Sequence, residues 1–149
     1  MKTNTANEAD TDKLQASEQA AKLIRESVDL CKHGEYEQGF TVIQQALRLA
    51  KTAENSSQIA HCFNVHGIIV RNWGQFTRAI EYFNKSLYLY EKHGTRKNVA
   101  TLLGNLGVAY KNIHDYSKSL EYFKQALAIC EDLEDQSVAA NTYGNLGKK

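Results

Sequence analysis

Two residues, Cys62 and His66, have the types and the spacing that could perform chemistry. They are four positions apart and would share one face of a helix, where a thiolate beside a base, or two metal ligands together with His61, could act. No third partner stands at a suitable spacing, and both lie within an apolar helical pattern, so we interpret them as core residues. Cys31 and His33 are two positions apart and cannot face the same side of a helix. We therefore expect no catalytic residue and no metal site.

Other signatures of catalysis or nucleic-acid binding are missing from the sequence. No glycine-rich phosphate loop follows a strand pattern, and there is no HExxH motif and no pair of catalytic carboxylates. A net charge of +1 provides no basic field for nucleic acid, and the aromatic residues do not alternate with a basic patch. We expect a chain that is not an enzyme, uses no cofactor and does not bind nucleic acid.

The composition and the beginning of the chain predict a cytoplasmic protein. The 149 residues are 42% hydrophobic and 23% charged, and no apolar run approaches the roughly 20 residues that a membrane span needs. The first 11 residues are polar and lack the apolar core of a signal peptide, so we expect a disordered lead over residues 1–11. The three cysteines are not in CxxC spacing and are expected to be reduced thiols.

An internal repeat with a period of 40 residues organises the rest of the chain. The recurring pairs are Gly67 and Gly107, Ile80 and Leu120, Phe83 and Phe123, and Leu87 and Leu127. Each repeat contains two helical patterns, and such units bury their apolar faces only by stacking on their neighbours. The period divides the array over residues 12–149 into repeats of about 12–56, 57–96 and 97–136, with a partial fourth over 137–149.

Helical periodicity predicts where each helix begins and ends. The expected helices span about 12–33, 36–52, 57–73, 76–93, 98–113 and 116–133, and a last one begins near 137. Small residues recur where two helices would cross closely. The first crossing has Ser27, Gly67, Gly107 and Gly147, and the second has Gly39, Ala79 and Ser119.

This order of small and apolar positions resembles the tetratricopeptide repeat. The third repeat carries it most clearly, in Leu103, Leu106, Gly107, Tyr110, Ser119, Phe123 and Ala126, and the resemblance extends over residues 20–149. The stride of 40 rather than 34 and the missing closing proline look like the variant of animal G-protein signalling modulators of the LGN type and of bacterial regulators. The resemblance implies an all-α right-handed superhelix of three helix pairs plus one terminal helix, with a concave binding face.

In this family the first helix of each pair lines the concave wall, so helical spacing identifies candidate residues there. The candidates for peptide binding are Arg25, Lys32, His61, Asn64, Arg71, Asn72, Asn105, Val108, Lys111, Asn112, Asn141, Asn145 and Lys148. Five of them are basic and none is acidic, which favours an acidic partner. The alternative is an ordinary solvated face, but asparagine is a poor helix former, and its recurrence favours amides that bind a ligand backbone.

One specialised use of the concave wall is disfavoured. Relatives that grip the C-terminal carboxylate of a chaperone use lysines, asparagines and an arginine, and Asn105 alone could serve among the corresponding positions. Those positions are Ile24, Val28, Val65, Thr101 and Asn105. We do not expect a cochaperone of that kind.

The expected function is a protein or peptide interaction scaffold, an adaptor or sensor module that binds an acidic or extended peptide segment on its concave face. One alternative is a structural or oligomerisation segment. Another is the regulatory N-terminal part of a larger signalling enzyme, because the repeat pattern stops midway through the fourth unit. At that end Tyr143 and Leu146 lack a second helix to cover them, which makes this edge a candidate for self-association as a homo-oligomer.

Overall fold

Six α-helices make up the part of the chain that the structure describes. The computed structural model describes residues 5–133, with side chains from residue 7 onward. The helices are α1 (Thr5–Lys32), α2 (Tyr36–Thr52), α3 (Ser56–Asn72), α4 (Phe76–His93), α5 (Arg96–Asn112) and α6 (Tyr116–Leu133). These bounds confirm the all-α prediction, and those of α2, α4 and α6 coincide with the sequence periodicity. The predicted terminal helix lies outside the described residues.

The start of α1 differs from the prediction. The sequence suggests a disordered lead over residues 1–11, yet the helix begins at Thr5, about seven residues before the expected position. No proline or glycine interrupts this stretch, and the Thr11 hydroxyl donates a hydrogen bond to the Asn7 carbonyl at 2.8 Å, which continues the helical pattern. All side chains from Asn7 to Asp12 are exposed, so this turn has no tertiary packing. Its mobility in solution stays a prediction.

Tight turns with left-handed backbone separate the two helices of each pair. Gly34 and Gly74 have φ angles of 77° and 80°, a conformation that costs glycine nothing. His114 takes the equivalent position in the third pair with a φ of 66°. The α5 helix begins with a capping box in which the Thr95 hydroxyl accepts from the Asn98 amide and the Asn98 side chain accepts from the Thr95 amide. These turns and this capping box determine where the helices end and begin, and thereby contribute to the 40-residue period.

The small residues predicted at the helix crossings within residues 5–133 lie where two helices meet, and the predicted Gly147 lies outside the described residues. A Cβ atom on Gly67 would lie 2.5 Å from the Phe83 ring, and one on Gly107 would lie 2.6 Å from the Phe123 ring. The buried Ser119 hydroxyl donates to the Gly107 carbonyl at 2.7 Å, which joins the two crossing columns by a hydrogen bond. The glycines therefore serve close packing of each pair, and this part of the sequence prediction is confirmed.

The three pairs stack into two layers. The backbones of α1 and α3, and those of α3 and α5, approach each other closely, whereas those of α2, α4 and α6 do not. The first helices of the pairs are thus the more closely spaced layer, as on the inside of a superhelix. We call the surface of α1, α3 and α5 that points away from the second helices the inner face, and α2, α4 and α6 the outer layer. None of the described helices is long and apolar enough to cross a membrane.

Candidate functional site

The described candidates for peptide binding are all on α1, α3 and α5 and fall into two degrees of exposure. The exposed ones are Arg25, Lys32, His61, Asn72 and Asn112. The half-buried ones are Asn64, Arg71, Asn105, Val108 and Lys111. The predicted Asn141, Asn145 and Lys148, and the self-association residues Tyr143 and Leu146, lie outside the described residues.

An asparagine pair connects the second and third repeats on the inner face. The Asn105 side-chain amide on α5 donates a hydrogen bond to the Asn64 side-chain oxygen on α3, with a nitrogen–oxygen distance of 2.8 Å. Both side chains are half-buried. The sequence placed both residues on one wall but did not predict that they touch, because their separation of 41 residues joins two different columns of the repeat.

The preceding repeat shows that an apolar pair can fill the equivalent position. Shifting Asn64 and Asn105 back by 40 residues gives Ile24 and Val65, which are 4% and 3% exposed and pack in the same core cluster of α1, α2 and α3. The α1–α3 crossing is thus sealed by aliphatic side chains, while the α3–α5 crossing has amides. Stacking of the repeats does not require the amides, which suggests another use for them.

The asparagine pair leaves hydrogen-bonding capacity available to a ligand. One amide hydrogen and one oxygen are used between the two side chains, so the pair still offers a donor from Asn64 and an acceptor from Asn105. If the nitrogen and oxygen of both amides exchange places, the pair still offers one donor and one acceptor. Gly104 lies beside them, and a Cβ atom added there would meet nothing within 4 Å. A peptide backbone, which has one donor and one acceptor per residue, can approach at this point.

Among helices α3 to α6, acidic residues are confined to the outer layer, which is charge-balanced because it also contains Arg78, Lys85, Lys92, Lys118 and Lys124. Helices α3 and α5 contain no acidic residue, and they contain the cationic residues Arg71, Arg96, Lys97 and Lys111. The acidic residues of α4 and α6 are Glu81, Glu91, Glu121, Glu131 and Asp132. Arg96 pairs with Asp132 at 3.1 Å, so part of the inner charge is already balanced by the outer layer.

Arg71 is less accessible than the sequence prediction implied. Its guanidinium carbon lies 5.8 Å from the centre of the Phe83 ring, and the residue is half-buried beside Tyr36. Burial lowers the pKa of Arg71, although the group stays cationic at neutral pH. Its position is therefore fixed by packing. Arg71 therefore packs toward α4, and its charge is preorganised rather than carried on a freely moving side chain.

The two residues with the strongest resemblance to a reactive pair lie in the core. Cys62 is 0% and His66 is 3% exposed, and the His66 Nδ1 atom forms a 3.1 Å hydrogen bond with the Cys62 backbone carbonyl. The His66 ring stacks on Tyr82 with centroids 5.0 Å apart and meets Phe40 edge-on at 5.3 Å. Burial raises the pKa of the Cys62 thiol to about 12 and lowers the pKa of His66. A protonated thiol and a stacked imidazole are packing elements, as the sequence interpretation predicted.

The described residues offer no alternative site for a metal. Within residues 5–133, no group of three or more histidine, cysteine or acidic side chains could hold a metal ion. Exposed His61 is on the inner face, and desolvation lowers its pKa, so it is a neutral polar group at pH 7. The chemical capacity of this face is hydrogen bonding and attraction of negative charge. The class of protein that this fold and face define is a helical-repeat binding scaffold.

Comparisons with known proteins identify the family. Two family models described as tetratricopeptide repeat match residues 60–93 and residues 100–133. These segments coincide with the α3–α4 and α5–α6 pairs. The chain therefore contains two tetratricopeptide repeats, and it is a protein-interaction scaffold in the general sense that such repeats bind other proteins. No curated protein sequence matches the chain.

Solved structures share the fold at low sequence identity. The TPR domain of Arabidopsis FLU superposes with a TM-score of 0.72 at 16% identity, covering 78% of this chain and 98% of that domain. BtubC from P. vanneervenii has a TM-score of 0.70 at 17% identity, with 97% of this chain and 65% of BtubC covered. The N-terminal domain of stress-induced protein-1 (STI-1) from C. elegans has a TM-score of 0.64 at 15% identity, with 87% of this chain and 95% of that domain covered. At such identities, the likeness concerns the fold alone.

Proposed function

We propose that the inner face binds an acidic, extended peptide segment of a partner protein, and that the chain is an adaptor or sensor module in a cytoplasmic signalling protein. The Asn64–Asn105 pair and the neighbouring Gly104 are the proposed contact with the peptide backbone. The cationic residues of α1, α3 and α5 are the proposed attraction for its acidic side chains. The proposal specifies a partner chemistry and leaves the sequence of the partner open.

One observation carries the proposal. At one crossing of the inner layer the chain has an isoleucine–valine pair, and at the equivalent crossing it has an asparagine pair bonded at 2.8 Å. Half-buried amides pack less favourably than aliphatic groups, and a free donor or acceptor in such a place costs about 1–3 kcal/mol when it is desolvated without a partner. A ligand that covers the pair avoids this cost when its backbone bonds to both groups.

The charge distribution supports the acidic character of the ligand. Arg71 and Lys111 are on two neighbouring helices without any acidic residue, whereas on α1 the exposed cations Arg25 and Lys32 stand beside exposed Glu26 and Asp29. Unlike charges across an interface increase the association rate and the specificity, and the effect weakens when salt shortens the screening length to about 8 Å at physiological ionic strength. We expect micromolar affinity, about 8 kcal/mol.

The test uses the sequence of the chain as its own control. A phage-displayed library of random dodecapeptides is selected against the protein, and the tightest peptides are synthesised with a fluorescent label for anisotropy titrations. The variant Asn64→Ile with Asn105→Val installs the apolar pair found 40 residues earlier. We expect it to fold as stably as the parent and to bind the peptides about 10–100-fold more weakly, since two backbone hydrogen bonds are lost at about 1 kcal/mol or more each.

The charge part of the proposal has a separate test. We expect the peptides selected on the parent to be rich in Asp and Glu. Arg71→Gln with Lys111→Gln removes two charges and keeps side chains of similar length, so the binding of these peptides to that variant should lose most of its salt dependence. The control is Lys124→Gln on the exposed surface of α6. Peptides that lack acidic residues, or that bind both inner-face variants as tightly as the parent, contradict the proposal.

A further inference from the structure

A second groove lies in the outer layer, on the side of the molecule opposite the inner face. The backbones of α4 and α6 do not approach each other closely, and α5 forms the floor between them. The resulting cleft has a volume of about 700 Å³. Its lining residues are Leu87, Glu91, Val99, Leu103, Lys118, Glu121, Tyr122, Gln125, Ala128 and Ile129.

The corresponding space in the preceding repeat is smaller, about 440 Å³, and is lined by larger side chains that include Phe63, Lys85 and Tyr88. Between α2 and α4, the Phe63 ring on α3 lies 6.3 Å from the Tyr82 ring. The Lys85 ammonium group lies 5.6 Å from the Phe63 ring centre and 5.9 Å from that of Tyr82, so its aliphatic stem covers both rings. Aromatic and cationic groups thus narrow the position that is wider in the third repeat.

Three substitutions between the repeats accompany the larger groove. The counterparts of Phe63, Lys85 and Tyr88, each 40 residues later, are Leu103, Gln125 and Ala128. Each replacement is smaller, and none alters the backbone pattern of α5 and α6. The residues used one unit earlier leave a cavity of about 440 Å³, compared with about 700 Å³ here. The greater size of the groove is therefore a property of the third repeat.

The walls of the groove are fixed and its rim is acidic. Tyr122 stacks on Tyr110 with centroids 5.4 Å apart, and the Lys118 ammonium group lies 5.2 Å from the Tyr110 ring centre, so this cation is already engaged by an aromatic face. Glu91 on α4 and Glu121 on α6 stand on opposite walls and are exposed. Neither carboxylate has an ion-pair partner among residues 5–133.

We propose that this groove between α4 and α6 docks a second peptide segment of a partner protein, one that inserts an aliphatic side chain against Leu103 and places Lys or Arg opposite Glu91 and Glu121. The two walls are 18-residue helices, about 27 Å long, which suits an elongated segment. The apolar floor of Val99, Leu103 and Ile129 supplies the anchor pocket. The proposal does not depend on the inner face, whose ligand has the opposite charge.

The experiment partly fills the groove with the residues of the preceding repeat. The variant Leu103→Phe, Gln125→Lys and Ala128→Tyr is compared with the parent in selections from the same random dodecapeptide library. Peptides that the parent binds are synthesised with a fluorescent label and titrated by anisotropy. We expect a group of peptides with Lys or Arg beside an aliphatic residue that binds the filled variant at least 10-fold more weakly. Circular dichroism monitors folding, and Ala128→Tyr alone, at an exposed position, replaces the triple variant if that fails to fold.

A charge variant tests the stated chemistry of the partner. Glu91→Gln with Glu121→Gln should weaken the groove-dependent peptides at least 5-fold, whereas Glu81→Gln, the counterpart of Glu121 one repeat earlier, should change binding less than 2-fold. The Asn64→Ile and Asn105→Val variant should leave these peptides unaffected. The proposal is overturned if no peptide binds the parent more tightly than the filled variant. It is also overturned if the peptides that prefer the parent are acidic, or if their affinity is unchanged in the Glu91→Gln with Glu121→Gln variant.

Discussion

Two glycines of α5 provide the sharpest prediction about packing. Gly104 and Gly107 are three residues apart in the same helix, but a Cβ atom at Gly104 would meet nothing within 4 Å, while one at Gly107 would lie 2.6 Å from the Phe123 ring. The ring is 1% exposed and cannot move into solvent. Gly104→Ala and Gly107→Ala therefore form a matched pair with the same chemical change and opposite steric consequences.

The magnitudes follow from helix propensity and overpacking. Replacing glycine by alanine inside a helix stabilises it by about 1 kcal/mol, so Gly104→Ala should raise the free energy of unfolding by that amount. Gly107→Ala has the same gain but adds an overpacking cost of about 1–3 kcal/mol. The second variant should be about 1–3 kcal/mol less stable than the first, and should melt about 2–12 °C below it at 2–4 °C per kcal/mol.

Thermal and urea unfolding followed by circular dichroism at 222 nm measure this difference. Equal slopes in urea would show that both variants unfold with the same change in exposed surface. If Gly107→Ala is as stable as Gly104→Ala, then Gly107 is not required for the close approach of α5 and α6. The explanation of the glycine column would then be refuted.

Three further predictions concern buried side chains. His66 has a lowered pKa in the folded chain, so the unfolded state binds more protons below pH 6.5, and the stability should be full above that pH and fall as the solution is acidified. His66→Leu should therefore reduce the difference in urea midpoint between pH 7.5 and pH 5.5. An unchanged difference would be the contrary result. Because burial raises the pKa of Cys62 to about 12, its alkylation by iodoacetamide at pH 8 should be about a thousandfold slower than in urea, and rates within tenfold of each other would contradict the burial. The Ser86 hydroxyl donates to the Ala60 carbonyl at 2.6 Å, but the positions equivalent to Ser86 in the other repeats are Ala46 and Ala126. Ser86→Ala should therefore lower the free energy of unfolding in urea by only about 1 kcal/mol, and a loss of several kcal/mol would disprove this.

Much of the architecture follows from the sequence because it depends on local signals. Glycines at positions 34 and 74 specify left-handed turns, and apolar periodicity places α2, α4 and α6 at their observed bounds. The first helix was harder to place, since its early turns have no buried face and no residue that stops a helix. Only the structure shows that the helix continues to Thr5.

The details of the two grooves could not be predicted because they depend on the register between helices far apart in sequence. The Asn64–Asn105 bond joins columns offset by 41 residues, whereas the repeat period is 40. Arg71 has a helical position typical of an exposed residue, yet Phe83 and Tyr36 enclose it. The larger groove of the outer layer corresponds to a sequence difference between the repeats, the change from Phe63 to Leu103. Its meaning requires the knowledge that the backbones of α4 and α6 do not approach each other closely.

A footprint of the bound peptide tests the central claim, that the inner face is the site for acidic segments. The tightest acidic peptide from the display selection is titrated into isotopically labelled protein, and backbone amide shifts are followed by NMR. The account predicts the largest changes around Asn64, Gly104 and Asn105, small changes in α4 and α6, and loss of the pattern in the Asn64→Ile and Asn105→Val variant. Changes concentrated on α4 and α6, or a pattern that the double variant retains, would contradict the claim.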